Sequence, residues 1–118
     1  MEPQDFFDGH PRAWPVFERV RDVLAEMDVT EVRTSRSQVA FRRRRGVAYL
    51  WMPGRWLTHP TSEVVLSIGL GREIESPRFK EVAHPTEGEW MHHLEIHDAD
   101  EVDAEVVGWL REAAERSG

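Results

Sequence analysis

From Arg12 to Met27 apolar residues recur at helical spacing, with Phe17, Val20, Leu24 and Met27 in one stripe that Val16 and Val23 widen. Glu18, Arg21, Asp22 and Glu26 occupy the opposite face, so the pattern predicts an amphipathic surface helix. Asp8-Gly9-His10-Pro11 signals its start, and Pro15 lies early enough to be tolerated in the first turn. After Met27 the period changes to two. Val29–Ser35 mixes β-branched with charged residues and reads as a short edge strand, while Gln38–Arg43 and Val47–Met52 alternate more clearly. Arg43-Arg44-Arg45-Gly46 between them reads as a hairpin turn with the glycine in a left-handed position; one long strand through the arginines is the alternative. Pro53-Gly54 then breaks the pattern, and Leu57–Ser62 reads as loop.

Glu63–Gly71 is an apolar, β-branched run with the character of a central strand, and Ile74–Gly88, with Pro77 and Pro85, reads as a long connection. Across Glu89–His97 alternation places Trp90, His92, Leu94 and Ile96 on one face and Met91, His93, Glu95 and His97 on the other. Asp98 or Asp100 is expected to cap a last helix with Val102, Val106, Trp109, Leu110 and Ala113 along its buried stripe. The order is helix, strands, helix. It predicts an α+β fold in which an N-terminal and a C-terminal helix flank and cover a four- to five-stranded antiparallel meander.

Length and composition narrow the class. The chain has 118 residues, the size of one domain spanning 1–118, and its 40% hydrophobic and 31% charged residues are a globular composition. No apolar run approaches the roughly 20 residues of a membrane helix, and Met1–Gly9 is acidic and polar, without the features of a secretory signal. The lack of cysteine excludes disulfides, thiolate zinc sites and cysteine nucleophiles, and fits an expected cytoplasmic location. Lys80 is the sole lysine among many arginines, as a GC-rich, bacterial-type genome would give.

The net charge of −7 opposes general attraction to nucleic acid or anionic membranes, but the charge is segregated. No acidic residue lies between Glu31 and Glu63, where Arg33, Arg36, Arg42, Arg43, Arg44, Arg45 and Arg55 all fall. From Glu81 to Glu115 eleven acidic residues face Arg111 alone. Such halves would attract each other within one fold or between the two copies of a homodimer.

The stretch Ser35–Pro53 (SRSQVAFRRRRGVAYLWMP) resembles the signature of the family known as domain of unknown function 5655. The similarity continues through Leu66–Arg72, Ser76–Phe79, Glu89–His93 and Val102–Ala114, about the last three-quarters of the chain. Two positions depart from the family pattern: Ala114, where a tyrosine is usual, and Val47, where an aromatic is usual. The resemblance implies the fold and leaves the function open.

Several side chains are candidates for chemistry. His93, Glu95 and His97 share a strand face, with His59 and His84 on loops, but period-two spacing sets neighbours about 7 Å apart, and no specific ligand motif is present, so no metal or cofactor is assigned. His92 points inward beside Trp90 and Leu94; facing a cavity, it would serve as general base with Glu89 or Glu95, although no nucleophile or oxyanion hole is evident and no catalytic residue is assigned. Arg42–Arg45 with Trp51 and Trp56 would suit phosphate contact and stacking, which makes nucleic acid an alternative partner. The leading expectation is a non-enzymatic binding module for a small anionic ligand or a protein partner. Its candidate residues are Arg42, Arg44, Trp51, Trp56, Lys80 and His92.

Overall fold

The stripe read between Arg12 and Met27 becomes helix α2, Ala13–Ala25, which buries Val16, Phe17, Val20, Val23 and Leu24. A computed structural model of the chain describes residues 1–55 and 62–118. The loop expected over Leu57–Ser62 therefore lies, except for Ser62, outside the described residues, as do Trp56 and His59. One turn of helix, α1 (Pro3–Phe6), precedes α2, and the final helix α3 (Ala104–Ser117) buries Val106, Trp109, Leu110, Ala113 and Ala114. Among the described residues no helix is long and apolar enough to cross a membrane.

The strands are β1 (Glu31–Thr34), β2 (Val39–Arg43), β3 (Arg45–Trp51), β4 (Val64–Leu70), β5 (Glu81–Thr86) and β6 (Glu89–Ile96). They form one antiparallel sheet in the order β1-β2-β3-β4-β6-β5. The α+β class and the antiparallel sheet stand, but six strands replace the expected four or five. The additional strand is β5, inside the span read as a long connection. Its residues are exposed or half-buried, so no apolar alternation announces it. Main-chain pairing with β6 holds it, and an edge position accommodates Pro85, whose missing N–H would break an interior ladder. Nor is the sheet a simple meander, because β6 inserts between β4 and β5.

The helices and one sheet face share a core. Phe41, Leu50, Leu66, Ile68, Leu94 and Ile96 belong to the same buried cluster as the helix stripes, and the Phe17 ring stacks on Phe41 with centroids 5.9 Å apart. Phe6 and Phe7 join that core, so the N-terminal stretch read as acidic and polar also supplies two buried anchors. Burying each such ring contributes about 1.5–3 kcal/mol.

Two local expectations change. Asp98 caps a short 3₁₀ turn at Ala99–Glu101, while α3 is capped by Asp103, whose carboxylate accepts the Val106 N–H at 3.1 Å. At the β2–β3 hairpin the left-handed residue is Arg44, with φ 64°, and not Gly46. Arg43 pairs with Arg45, which leaves Arg44 at the apex. A bulge follows: Phe41 pairs with Ala48 and Arg42 with Gly46, so Val47 is the additional residue, and Val47 and Ala48 are both buried. That extra residue puts Gly46 on the same face as Tyr49. The glycine is needed because the Tyr49 ring lies over it; a Cβ there would fall 1.7 Å from the Tyr49 hydroxyl.

Holding a non-glycine residue in the left-handed region costs about 1–2 kcal/mol, and glycine returns part of that through its unfolded-chain entropy. Arg44→Gly is therefore expected to stabilise the fold by about 0.5–1 kcal/mol. The check is a higher urea midpoint at unchanged slope; a lower midpoint would show that the apex is not strained.

Candidate ligand-binding site

Both faces of β4 are buried, although the helices cover only one of them. Val64, Leu66, Ile68 and Leu70 enter the helical core, while Val65, Ser67 and Gly69 project to the second face. There, side chains from neighbouring strands provide the cover. The register aligns Tyr49 on β3, Ser67 on β4, His93 on β6 and Glu81 on β5 as successive Cα partners. The next row places Trp51 opposite Val65 and Val65 opposite Glu95.

A hydrogen-bonded chain connects these rows. The Trp51 Nε1–H donates to Ser67 Oγ at 2.7 Å, Ser67 Oγ lies 2.6 Å from His93 Nδ1, and the Trp51 and His93 rings meet edge to face at 5.9 Å. Ser67 is only 2% exposed, so its hydroxyl proton needs a protein acceptor or costs about 1–3 kcal/mol. The indole nitrogen is only a donor, which leaves His93 Nδ1 as the acceptor for that proton. His93 is thereby set as the Nε2–H tautomer. Burial pushes its pKa below the ordinary histidine value and nearby His92 adds to this, while the carboxylate of Glu81 across the ladder partly opposes it. The ring is neutral at pH 7.

Beside this chain lies a cleft of about 440 Å³ lined by Ser37, Gln38, Tyr49, Trp51, Ser67, Met91 and His93. None of these carries a formal charge with His93 neutral. A second, smaller cavity of about 80 Å³ adjoins it between Trp51, Val65, Lys80, Glu81 and His93. Lys80 Nζ is 2.6 Å from Glu95 Oε1, so its charge is compensated, and Glu95 Oε2 also accepts the Ser62 N–H at 3.0 Å.

The expected site residues are dispersed. Trp51 lines the cleft and Lys80 the adjoining cavity, but Arg42 and Arg44 lie toward the hairpin tip, at the other end of the β2–β3 ladder from Trp51. At about 3.3 Å per residue this separates Trp51 from Arg42 by roughly 13 Å and from Arg44 by roughly 20 Å. Arg42 is partly buried with Nε 3.9 Å from a Glu31 carboxylate oxygen, and Arg44 is exposed. Arg43 is structural: it donates to the carbonyls of Met27 and Ala114 at 3.0 Å each. Among the described residues the arginine and lysine ion pairs of the acidic half use Arg72, Arg78, Lys80 and Arg116, not the hairpin arginines. His92 is 0% exposed; Nε2 accepts the Ile74 N–H at 3.0 Å, Nδ1 donates to the Trp90 carbonyl at 3.1 Å, and the ring packs on Phe79. Both of its nitrogens are engaged within the core, which leaves it no lone pair for a general base. No cluster of three or more metal-ligating side chains exists among the described residues.

Ser67 and His93 carry the site; in the sequence His93 stands out only as a candidate metal ligand beside Glu95 and His97, and Ser67 is not singled out. Alternation did place His93 on the face opposite His92, and the lone hydroxyl in the apolar run Val64–Leu70 was the visible signal for Ser67. Their contact has the form of a Ser–His dyad, but a hydroxyl that is 2% exposed and already accepts an indole N–H is poorly placed to attack a substrate.

A family model described as Domain of unknown function (DUF5655) matches residues 4–117. No curated protein and no solved structure matches the chain.

A histidine held below its ordinary value ties stability to pH. Below about pH 6.5 the unfolded chain takes up a proton that folded His93 refuses, so stability falls as pH drops from there toward the folded value. Asp103 and Glu112, lowered by hydrogen bonds from Arg78 and Arg72, lose their contributions only at more acid pH. The melting temperature of the wild-type chain is expected to fall more steeply than that of His93→Gln between pH 6.5 and 5. Parallel curves would show that His93 does not contribute.

Proposed function

This chain belongs to the DUF5655 family, and from that premise we propose that it is a non-enzymatic binding module whose site is the second face of the sheet, around Trp51, Ser67 and His93. The observation that carries the reading is the fixed Trp51–Ser67–His93 chain at the edge of a cleft that has further hydrogen-bonding groups to offer. The Gln38 side-chain amide, the Tyr49 hydroxyl and His93 Nε2 have no hydrogen-bond partner among the described residues. Pre-set polar groups beside aromatic walls are what a small-molecule site requires, and the volume falls in the usual ligand range of about 300–1,000 Å³.

Of the occupants expected from sequence, a small ligand fits this face better than one gripped by the hairpin arginines. Arg42 and Arg44 do not line the cleft, and Lys80 beside it is already paired. Tyr49, Trp51, Ser67, Met91 and His93 come from three adjacent strands, β3, β4 and β6, so a ligand would meet groups there that need little reordering, with Ser37 and Gln38 joining from the β1–β2 connection.

The test is thermal denaturation with a panel of nucleosides, sugars, sugar phosphates and inorganic phosphate. A ligand at ~100 times its Kd stabilises by about 2.7 kcal/mol, a shift of several degrees at this size. Trp51→Ala is expected to cut the shift to about half or less, and the double substitution Arg42→Glu, Arg44→Glu to leave it intact. The opposite pattern would move the site to the hairpin tip and overturn the reading.

A further inference from the structure

We propose that the ligand of this cleft is an uncharged nitrogen heterocycle of the nucleobase type, stacked against Trp51 and read along its edge by Gln38 and His93. The inference rests on the binding-module reading above and adds the ligand's chemistry to it. Three independent features of the cleft converge on this class.

The first is charge. In a chain with 31% charged residues, none of the described residues lining the cleft carries a formal charge when His93 is neutral. The Lys80–Glu95 pair beside it is closed on itself at 2.6 Å. A phosphate or carboxylate group entering the cleft would lose hydration and meet no free cation among the described residues lining it, with the Glu81 carboxylate the nearest unpaired charge, which is unfavourable by the usual cost of burying an unpaired ion.

The second is shape and surface. Tyr49, Trp51 and Met91 supply two aromatic rings and a thioether, surfaces that favour a flat π-system. Tyr49 is held in place from below, because its ring lies over Gly46, where a Cβ would collide with the hydroxyl.

The third is the polar edge. Gln38 offers an amide that donates and accepts, the arrangement that pairs in bidentate fashion with an adjacent donor and acceptor on a heterocycle. His93 adds a donor whose tautomer is set by Ser67, since Nδ1 accepts the Ser67 hydroxyl and the proton resides on Nε2. A purely aliphatic ligand would cover these groups and leave them unpaired, which a polar site penalises strongly.

The experiment titrates the intact ¹⁵N-labelled chain with adenosine, uridine and nicotinamide and, in parallel, with inorganic phosphate and 1-hexanol. The signals followed are the Trp51 indole N–H and the His93 ring nitrogens. At least one heterocycle is expected to move both saturably, with affinity falling roughly ten- to hundredfold in Trp51→Ala, the usual loss when a stacking platform is removed. Gln38→Ala, which removes an amide that makes no hydrogen bond among the described residues, is expected to weaken binding about tenfold or more and carries the test if Trp51→Ala does not fold. Unchanged affinity in Gln38→Ala would overturn the inference. Signals moved only by phosphate or only by hexanol would overturn the ligand class while the binding-module reading stood. Movement with protein concentration alone would mean that a second copy covers the cleft, which overturns the inference. No response to any compound would overturn both the class and the reading.

Discussion

The central strand β4 has to be buried twice, and the helices supply only one cover. Val64, Leu66, Ile68 and Leu70 are satisfied by α2, α3 and the rest of the core, as expected for a strand at the middle of an antiparallel sheet. On the other side lie Val65, Ser67 and Gly69, a medium-sized and two small residues, and the sheet covers them mainly with its own long side chains, joined at Gly69 by Arg116 of α3. Trp51 and His93 meet over Ser67, while Glu89, Met91 and Arg116 close on Gly69. Because Trp51 and His93 come from the strands on either side of β4, their positions are fixed by register and not by a loop, while Arg116 reaches in from α3.

That arrangement sets the electrostatics of the site. A hydroxyl enclosed on β4 needs partners, and it finds a donor in the indole and an acceptor in the imidazole. The same enclosure that makes Ser67 depend on His93 also holds His93 neutral, so tautomer, charge and position have a common cause. The charged groups of this face are arranged at its margins, where Lys80 pairs with Glu95 and Arg116 with Glu89. An acidic chain thereby presents a cleft lined by neutral groups.

The two adjacent histidines illustrate how a one-residue step on a strand changes chemical role. His92 and His93 differ in sequence by a single position, yet the pleat sends them to opposite sides of the sheet. His92 is sealed against Phe79, with its hydrogen bonds spent on the main chain at Ile74 and Trp90, and so works as a structural tie between β6 and the connection that leads to β5. Among the described residues the His93 ring makes one hydrogen bond, to Ser67, and it borders the open cleft. Arg78 is a comparable tie: it bridges that same connection to the Asp103 cap of α3 and lies over Trp109.

Periodicity by itself determined the two main helices, the edge strand β1, the hairpin strands, the inward set on β6 and the α+β class, because each of these buries a stripe or alternate side chains and so writes its period into the chain. It carried no sign of β5, which is held by main-chain pairing at an edge and buries little. It also assigned the left-handed turn position to Gly46, since the bulge that places this glycine under Tyr49 is a matter of cross-strand register. The site shows the same division. Trp51 and Lys80 were legible as surface chemistry, and the alternation around His93 was legible as a face, but the meeting of Trp51, Ser67 and His93 needed three strands brought side by side from residues 16 and 26 positions apart. Sequence neighbours made Arg42, Arg44 and Trp51 look like one patch. Only the tertiary structure decided otherwise, because a hairpin carries residues close in sequence to opposite ends of its ladder, while the sheet brings distant residues into contact.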